Sequence, residues 1–128
     1  MSPAPTQSLH LIADIVGASG LSDLNVIEAT LREAAEAAKV TVLDVRLHHF
    51  GTGQGVTGVA LLAESHISIH TWPESGMAAV DIFVCGKTAD AYAALAVMER
   101  RLSGTTSFQR AISRLCSADK ADRNPEFS

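Results

Sequence analysis

Two spacings of hydrophobic residues alternate along the chain, and the first is helical. Between residues 22 and 38, apolar side chains recur every three or four positions, which predicts an amphipathic helix that Ser22 or Asp23 can cap. The same spacing over residues 88–102 predicts a second helix, capped by Thr88. The predicted buried stripes are Leu24, Ile27, Leu31, Ala34 and Ala38 in the first helix, and Ala91, Leu95, Met98 and Leu102 in the second.

The second spacing is the period of two that is typical of strands. Alternating or short apolar runs, bounded by glycine or proline, predict strands over residues 8–16, 40–50, 56–63, 64–72, 78–85 and 106–115. In the second of these, Thr41, Leu43, Val45 and Leu47 are predicted to face one side, and Asp44, Arg46 and His48 the other. Several neighbouring strands are joined by loops too short for a crossover helix. We therefore expect an α+β fold: a two-layer sandwich with a largely antiparallel sheet and both helices on one face.

Length and composition agree with one globular domain. The chain has 128 residues, of which 47% are hydrophobic and 19% are charged. We expect the domain to span residues 8–116, between a disordered tail at 1–7 and a polar tail at 117–128. No apolar run approaches the roughly 20 residues of a membrane span, and the N-terminus lacks a signal-peptide pattern.

Charge and cysteine usage narrow the function classes. The formal net charge is −4 and no basic stripe is present, which argues against nucleic-acid binding. The two cysteines, Cys85 and Cys116, form no C-x-x-C pair and suit reduced thiols in a cytoplasm.

Residues 63–74, A-E-S-H-I-S-I-H-T-W-P-E, carry an unusual density of chemically active side chains. One face of this predicted strand is apolar and is expected to join the core, while the opposite face collects imidazoles, a hydroxyl and an indole. The apolar face holds Ile67 and Ile69, and the polar face holds His66, Ser68, His70 and Trp72.

Several kinds of site compete for this segment. His66 and His70 resemble a metal-ligand pair, but along a strand their Cα atoms lie ~13 Å apart, too far for both rings to reach one zinc ion, so no metal is predicted. A Ser-His-Asp hydrolase lacks its G-x-S-x-G elbow. The glycine-rich loop 51–55 lacks the Gly-Lys-Ser/Thr of a P-loop and is interpreted as a turn. For an isolated histidine, a hydrogen-bonded core residue is the alternative.

Together with residues 78–86, A-A-V-D-I-F-V-C-G, the segment closely resembles the bacterial and archaeal S-adenosylmethionine decarboxylase proenzymes. The resemblance extends from about His10 to Leu102. It implies that the chain cuts itself between Glu64 and Ser65, into fragments 1–64 and 65–128. The family commonly forms dimers of such processed protomers, so a homodimer is expected.

The resemblance also implies a cofactor made from the chain, a pyruvoyl group derived from Ser65. The Ser65 hydroxyl attacks the preceding carbonyl, a base removes the Ser65 α-proton, and the dehydroalanine that forms hydrolyses to a ketone. These steps need a hydroxyl or thiol and a base with a pKa near neutrality, which suits histidine. The ketone then accepts the electrons that departing CO₂ leaves behind, as a pyridoxal cofactor does.

Matching motif positions give the other predicted catalytic roles. His70 matches the processing histidine, and Thr57 lies where the family usually has a serine whose hydroxyl assists processing. Cys85 matches the cysteine that protonates the product carbon. Cys116 lacks such a context and is interpreted as structural.

The resemblance assigns substrate binding to three further residues. Phe50 matches an aromatic ring that stacks on adenine, and Glu74 matches a carboxylate that binds the ribose hydroxyls. Trp72 walls the pocket or belongs to the core or an interface. The chain departs from the family around this pocket, at residues 8–10 and 75–77 and in the loop after Phe50. S-adenosylmethionine is the expected substrate, ornithine or arginine is the alternative, and a non-catalytic regulatory homologue is a third hypothesis.

Overall fold

The structure is a computed structural model that describes residues 7–114. Residues 1–6 and 115–128 lie outside that range, and with them most of the predicted N-terminal tail, the polar C-terminal tail and Cys116. The described elements are β1 (Ser8–Val16), α1 (Leu24–Ala37), β2 (Val42–His49), β3 (Val56–Leu62), β4 (Ser65–Trp72), a 3₁₀ turn (Pro73–Ser75), β5 (Met77–Cys85), α2 (Ala91–Leu102) and β6 (Thr105–Ser113).

The six described strands form one sheet in the order β2-β3-β4-β5-β1-β6, and every neighbouring pair is antiparallel. α1 packs on β2, β3 and β4, α2 packs on β1 and β5, and the two helices contact each other. Both helices therefore lie on one face of the sheet, which confirms the predicted α+β two-layer sandwich. The core lies between the two layers.

Both helices begin at an aspartate. The Asp23 carboxylate accepts hydrogen bonds from the backbone N–H groups of Asn25 and Val26, as one of the two predicted caps would. α2 begins after Asp90, whose carboxylate accepts from the Ala93 N–H. The prediction of Thr88 as its cap was wrong, because the helix begins two residues later, where Asp90 supplies the capping carboxylate.

The predicted helix stripes are buried, with one exception. Leu24 stands at the first position of α1 and is 38% exposed, so its place in the stripe was wrong. Thr30 is buried instead, and its hydroxyl donates to the Val26 carbonyl. The confirmed core positions are Ile27, Leu31, Ala34 and Ala38 in and just after α1, and Ala91, Leu95, Met98 and Leu102 in α2.

A β-bulge changes the predicted alternation of β2. The register with β3 shifts between Val42 and Asp44, so Leu43 is an extra residue and is 67% exposed. Thr41 is exposed as well. The predicted alternation was wrong before Asp44, because Val42 rather than Leu43 packs on the core ahead of the bulge; Val45 and Leu47 share one side, as predicted, and that side is the core.

The sheet side opposite the helices, which we call the open face, carries the alternate residues of each strand, including His10, Thr57, His70, Asp81 and Phe83. Among the described residues, no helix covers this face. Large apolar side chains are exposed there: Leu61, Trp72, Met77 and Phe108. Neither helix of the described residues, 7–114, has the length and hydrophobicity of a membrane span.

Candidate active site

A two-residue turn between β3 and β4 contains the predicted cleavage bond. Leu62 pairs with Ser65 in the sheet, so Ala63 and Glu64 make the whole connection. Glu64 has φ = +66°, a left-handed backbone conformation that glycine and asparagine adopt far more readily than glutamate. The predicted scissile bond therefore follows a residue in an unfavourable conformation.

Cys85 lies beside this turn. It is the last residue of β5, and the pairing of His66 with Phe83 brings the end of β5 next to the start of β4. The Cys85 thiol donates a hydrogen bond to the Glu64 carbonyl oxygen at 3.3 Å. That oxygen belongs to the carbonyl that the Ser65 hydroxyl is predicted to attack.

The environment of Cys85 favours the thiol over the thiolate. The side chain is half-buried, and burial raises the pKa of the Cys85 thiol because the charged form loses hydration. The negative charge of Glu64 raises this pKa further. The sulfur therefore keeps its proton at neutral pH, the form that can donate to a carbonyl oxygen or to a carbanion.

Thr57 and His70 form a second cluster, in the open face of β3 and β4. The two residues are direct partners across the strands, and Thr57 Oγ1 lies 3.2 Å from His70 Nδ1. When Nδ1 carries the ring proton, it can donate to the threonine hydroxyl, and Nε2 is then the basic nitrogen. The imidazole is exposed, so Nε2 is accessible to an incoming group.

The two clusters are separated within one chain. At ~3.3 Å per residue along β4, the Cα atoms of Ser65 and His70 lie about 16 Å apart. Because side chains alternate between the two sides of a strand and these residues are an odd number of positions apart, their side chains point to opposite sides of the sheet. In this conformation His70 is therefore too far from Ser65 of the same chain to remove its α-proton, the role that the resemblance implies.

The residues predicted to bind substrate lie at the opposite end of β4 from the cleavage turn. Glu74 is in the 3₁₀ turn after β4, and Phe50 follows β2, whose last residues lie at the same end of the sheet as the last residues of β4. The Phe50 ring is 61% exposed and stands edge-on to His48, with ring centroids 4.5 Å apart. Trp72 is 49% exposed, which excludes the core alternative for this residue within the described chain.

A third polar group on the open face received no role from the sequence. Asp81 Oδ1 lies 2.6 Å from His10 Nε2 and 3.6 Å from His66 Nε2, so one carboxylate faces two imidazoles. The Phe83 ring packs against both histidines. The alternation of β5 offered the missing signal, because it places Asp81 on the same face as Cys85.

Comparison with known proteins connects this arrangement to one family. The sequence profile of the S-adenosylmethionine decarboxylase family matches residues 9–115. The S-adenosylmethionine decarboxylase proenzyme of Thermomicrobium roseum is 40% identical over 92 residues, which cover 72% of this chain and 79% of that protein. The corresponding proenzyme of Parasynechococcus marenigrum is 47% identical over 102 residues, 80% of this chain and 79% of that protein.

A solved structure agrees with these relatives. The crystal structure of the adenosylmethionine decarboxylase from Aquifex aeolicus superposes with a TM-score of 0.72 at 34% identity. The match covers 88% of this chain and 92% of that one. The likeness thus extends over nearly the whole fold as well as the motif.

The raised pKa of Cys85 predicts how its reactivity changes with pH. In a chain carrying Ser65→Ala and Cys116→Ser, Cys85 is the only thiol, and its alkylation by iodoacetamide should rise with a midpoint above that of free cysteine. Glu64→Gln should lower the midpoint, because it removes the nearby negative charge, but not to the free value, because burial remains. The same protein in concentrated urea, which abolishes burial, is the control. A folded-state midpoint at or below the urea value would contradict the assignment.

Proposed function

The chain belongs to the S-adenosylmethionine decarboxylase family, and we propose that it cuts its own Glu64–Ser65 bond, converts Ser65 to a pyruvoyl group and decarboxylates S-adenosylmethionine. The observation that carries the proposal is the 3.3 Å hydrogen bond from the Cys85 thiol to the Glu64 carbonyl. This hydrogen bond connects a proton donor, the Cys85 thiol, to the carbonyl directly before Ser65, the serine of the family motif.

The first step is a shift of the Glu64 acyl group from nitrogen to oxygen. A bond forms between Ser65 Oγ and the Glu64 carbonyl carbon, the bond from that carbon to the Ser65 nitrogen breaks, and the hydroxyl proton ends on the nitrogen. Negative charge develops on the Glu64 oxygen on the way. The Cys85 thiol already donates to this oxygen and so is placed to stabilise the charge.

The second step removes the Ser65 α-proton, and we assign it to a His70 imidazole. The Cβ–Oγ bond of Ser65 breaks, and Glu64 leaves with that oxygen as a terminal carboxylate. One water molecule is consumed and ammonia is released as the ketone forms. The residues around Ser65 fit this group: the serine begins a strand after an exposed turn, and a protonated thiol lies alongside. Once formed, the pyruvoyl group supplies an electron sink for decarboxylation.

The separation of Ser65 and His70 along β4 supports a His70 that comes from a second copy of the chain. Within one protomer the Cα atoms of His70 and Ser65 are about 16 Å apart, by the rise of ~3.3 Å per residue. We propose a homodimer in which two open faces pack around a twofold axis, so that the cleavage turn of each copy, beside the Cys85 thiol of its open face, meets Thr57 and His70 of the other. Exposed Leu61, Trp72, Met77 and Phe108 give the open face the apolar surface that a stable interface needs.

The same packing supports the substrate assignment. It would bring Phe50 and Glu74 of one copy toward Ser65 and Cys85 of the other. There the exposed Phe50 ring can stack on adenine and the Glu74 carboxylate can accept from the ribose hydroxyls. The Cys85 thiol would return a proton to the product carbon.

We propose that the two fragments, 1–64 and 65–128, stay together as one domain over residues 8–116. Strand pairs β3–β4, β1–β5 and β1–β6 all join one fragment to the other, which supports this. The product, decarboxylated S-adenosylmethionine, would serve spermidine synthesis. Because the mechanism needs Cys85 as a free thiol, we place the enzyme in a reducing cytoplasm.

Release of CO₂ tests the activity. The purified protein should release CO₂ from carboxyl-labelled S-adenosylmethionine, and labelled ornithine and arginine serve as matched substrates that it should leave intact. Ser65→Ala should remain one chain on a denaturing gel and release none, because it lacks the attacking hydroxyl. Preferred turnover of ornithine or arginine would refute the substrate assignment, and a Ser65→Ala chain that is still cut would refute the cleavage site.

Complementation between two inactive variants tests the dimer. Neither Ser65→Ala nor His70→Ala should be cut alone. Co-expressed, they form mixed dimers in which the intact Ser65 of the His70→Ala chain meets the intact His70 of the other. About half of the paired sites in such a dimer are complete, so cutting of the His70→Ala chain should appear. If mixed dimers form, as differently tagged chains can demonstrate, and no cutting follows, His70 does not act across the interface.

A further inference from the structure

Three residues other than glycine have a positive φ among the described residues: Lys39 at 64°, Glu64 at 66° and Ser103 at 53°. Lys39 and Ser103 follow the ends of α1 and α2, where a left-handed residue commonly ends a helix. Their backbone N–H groups donate to carbonyls of the last helical turn. Glu64 has no such role, because it lies between two strands.

Contacts on both sides hold Glu64 in this conformation. The Leu62–Ser65 pair closes the turn, and Leu62 is 4% exposed, so its strand cannot shift without uncovering the core. The Ala63 N–H donates to the Thr41 carbonyl at 3.0 Å, which ties the turn to the segment before β2. The Cys85 thiol holds the Glu64 carbonyl oxygen. Such surroundings can maintain an unfavourable backbone conformation, a condition found most often at functional sites.

We propose that the strained backbone of Glu64 accelerates self-cleavage, so that Glu64 is a positioning residue for the first step. This inference rests on the proposed function. The acyl shift replaces the Glu64 C to Ser65 N bond with a bond to Ser65 Oγ, and the hydroxyl proton moves to the nitrogen. In the ester, the chain runs from the Glu64 carbonyl carbon through Oγ and Cβ to the Ser65 Cα. This path is longer than the amide link, so the short connection between the paired residues Leu62 and Ser65 becomes longer. A longer connection lets Glu64 leave the left-handed region, so part of the strain is released as the ester forms.

The test compares Glu64→Asn with Glu64→Gln. Both side chains are uncharged amides that differ by one methylene, but asparagine adopts a positive φ at a lower energetic cost than glutamine does. In a pulse-chase of newly translated chain, fragments should appear about fivefold more slowly with Asn than with Gln, and Gly should be at least as slow as Asn. Lys39→Gly relieves the same conformation far from the turn and should cut at the wild-type rate.

An independent readout measures the strain itself. In the Ser65→Ala background, where no cutting occurs, Asn or Gly at position 64 should raise the urea midpoint of unfolding above that of Gln. Slower cutting combined with a more stable uncut chain is the signature of released strain, since simple damage to the turn would lower stability. Equal cutting rates for Asn and Gln in a chain that does cut would overturn this inference alone, whereas a wild-type chain that never cuts would overturn the proposed function.

Discussion

Burial of Ile67 and Ile69 fixes how β4 lies in the sheet, because both side chains are fully buried beneath the helices while their neighbours in sequence face the open side. Burying each is worth roughly 1.5–3 kcal/mol, and a one-residue slip would expose both and press imidazoles into the core. This register pairs Ser65 with Leu62 and His70 with Thr57. The two-residue turn between β3 and β4 and the pairing of Thr57 with His70 both follow from this register.

Most of the fold could be predicted because its signals are local. The predicted bounds of β1 match those observed, and the helix stripes mark the buried faces, since periodicity depends only on each segment's own sequence. The errors arise where contacts with another segment of the chain, and not the local sequence, determine the structure. Leu43 is displaced by a bulge that exists only in the pairing with β3, and the start of α2 was missed because Thr88 and Asp90 are both acceptable caps in sequence.

The candidate site likewise combines features that the local sequence indicates with features that depend on strand pairing. The motif identified Ser65, His70 and Cys85, but strand pairing was needed to place Cys85 against the Glu64 carbonyl and His70 at a distance. The positive φ of Glu64 could not be foreseen, because glutamate does not favour that conformation and only the closure of the turn imposes it. One chain thus presents the two halves of the proposed reaction centre at different places on its sheet. In the proposed homodimer this separation would link catalytic competence to assembly, so that an isolated chain would remain a precursor.

The intact mass of the purified wild-type protein under denaturing conditions shows directly whether Ser65 becomes a pyruvoyl group. Self-processing predicts two polypeptides, 1–64 and 65–128, with the second lighter by one ammonia than a fragment that begins with serine. A fragment 65–128 with the full mass of a serine terminus would indicate ordinary hydrolysis. That result, or a single uncut chain after prolonged incubation, would contradict the conversion of Ser65 to a pyruvoyl group.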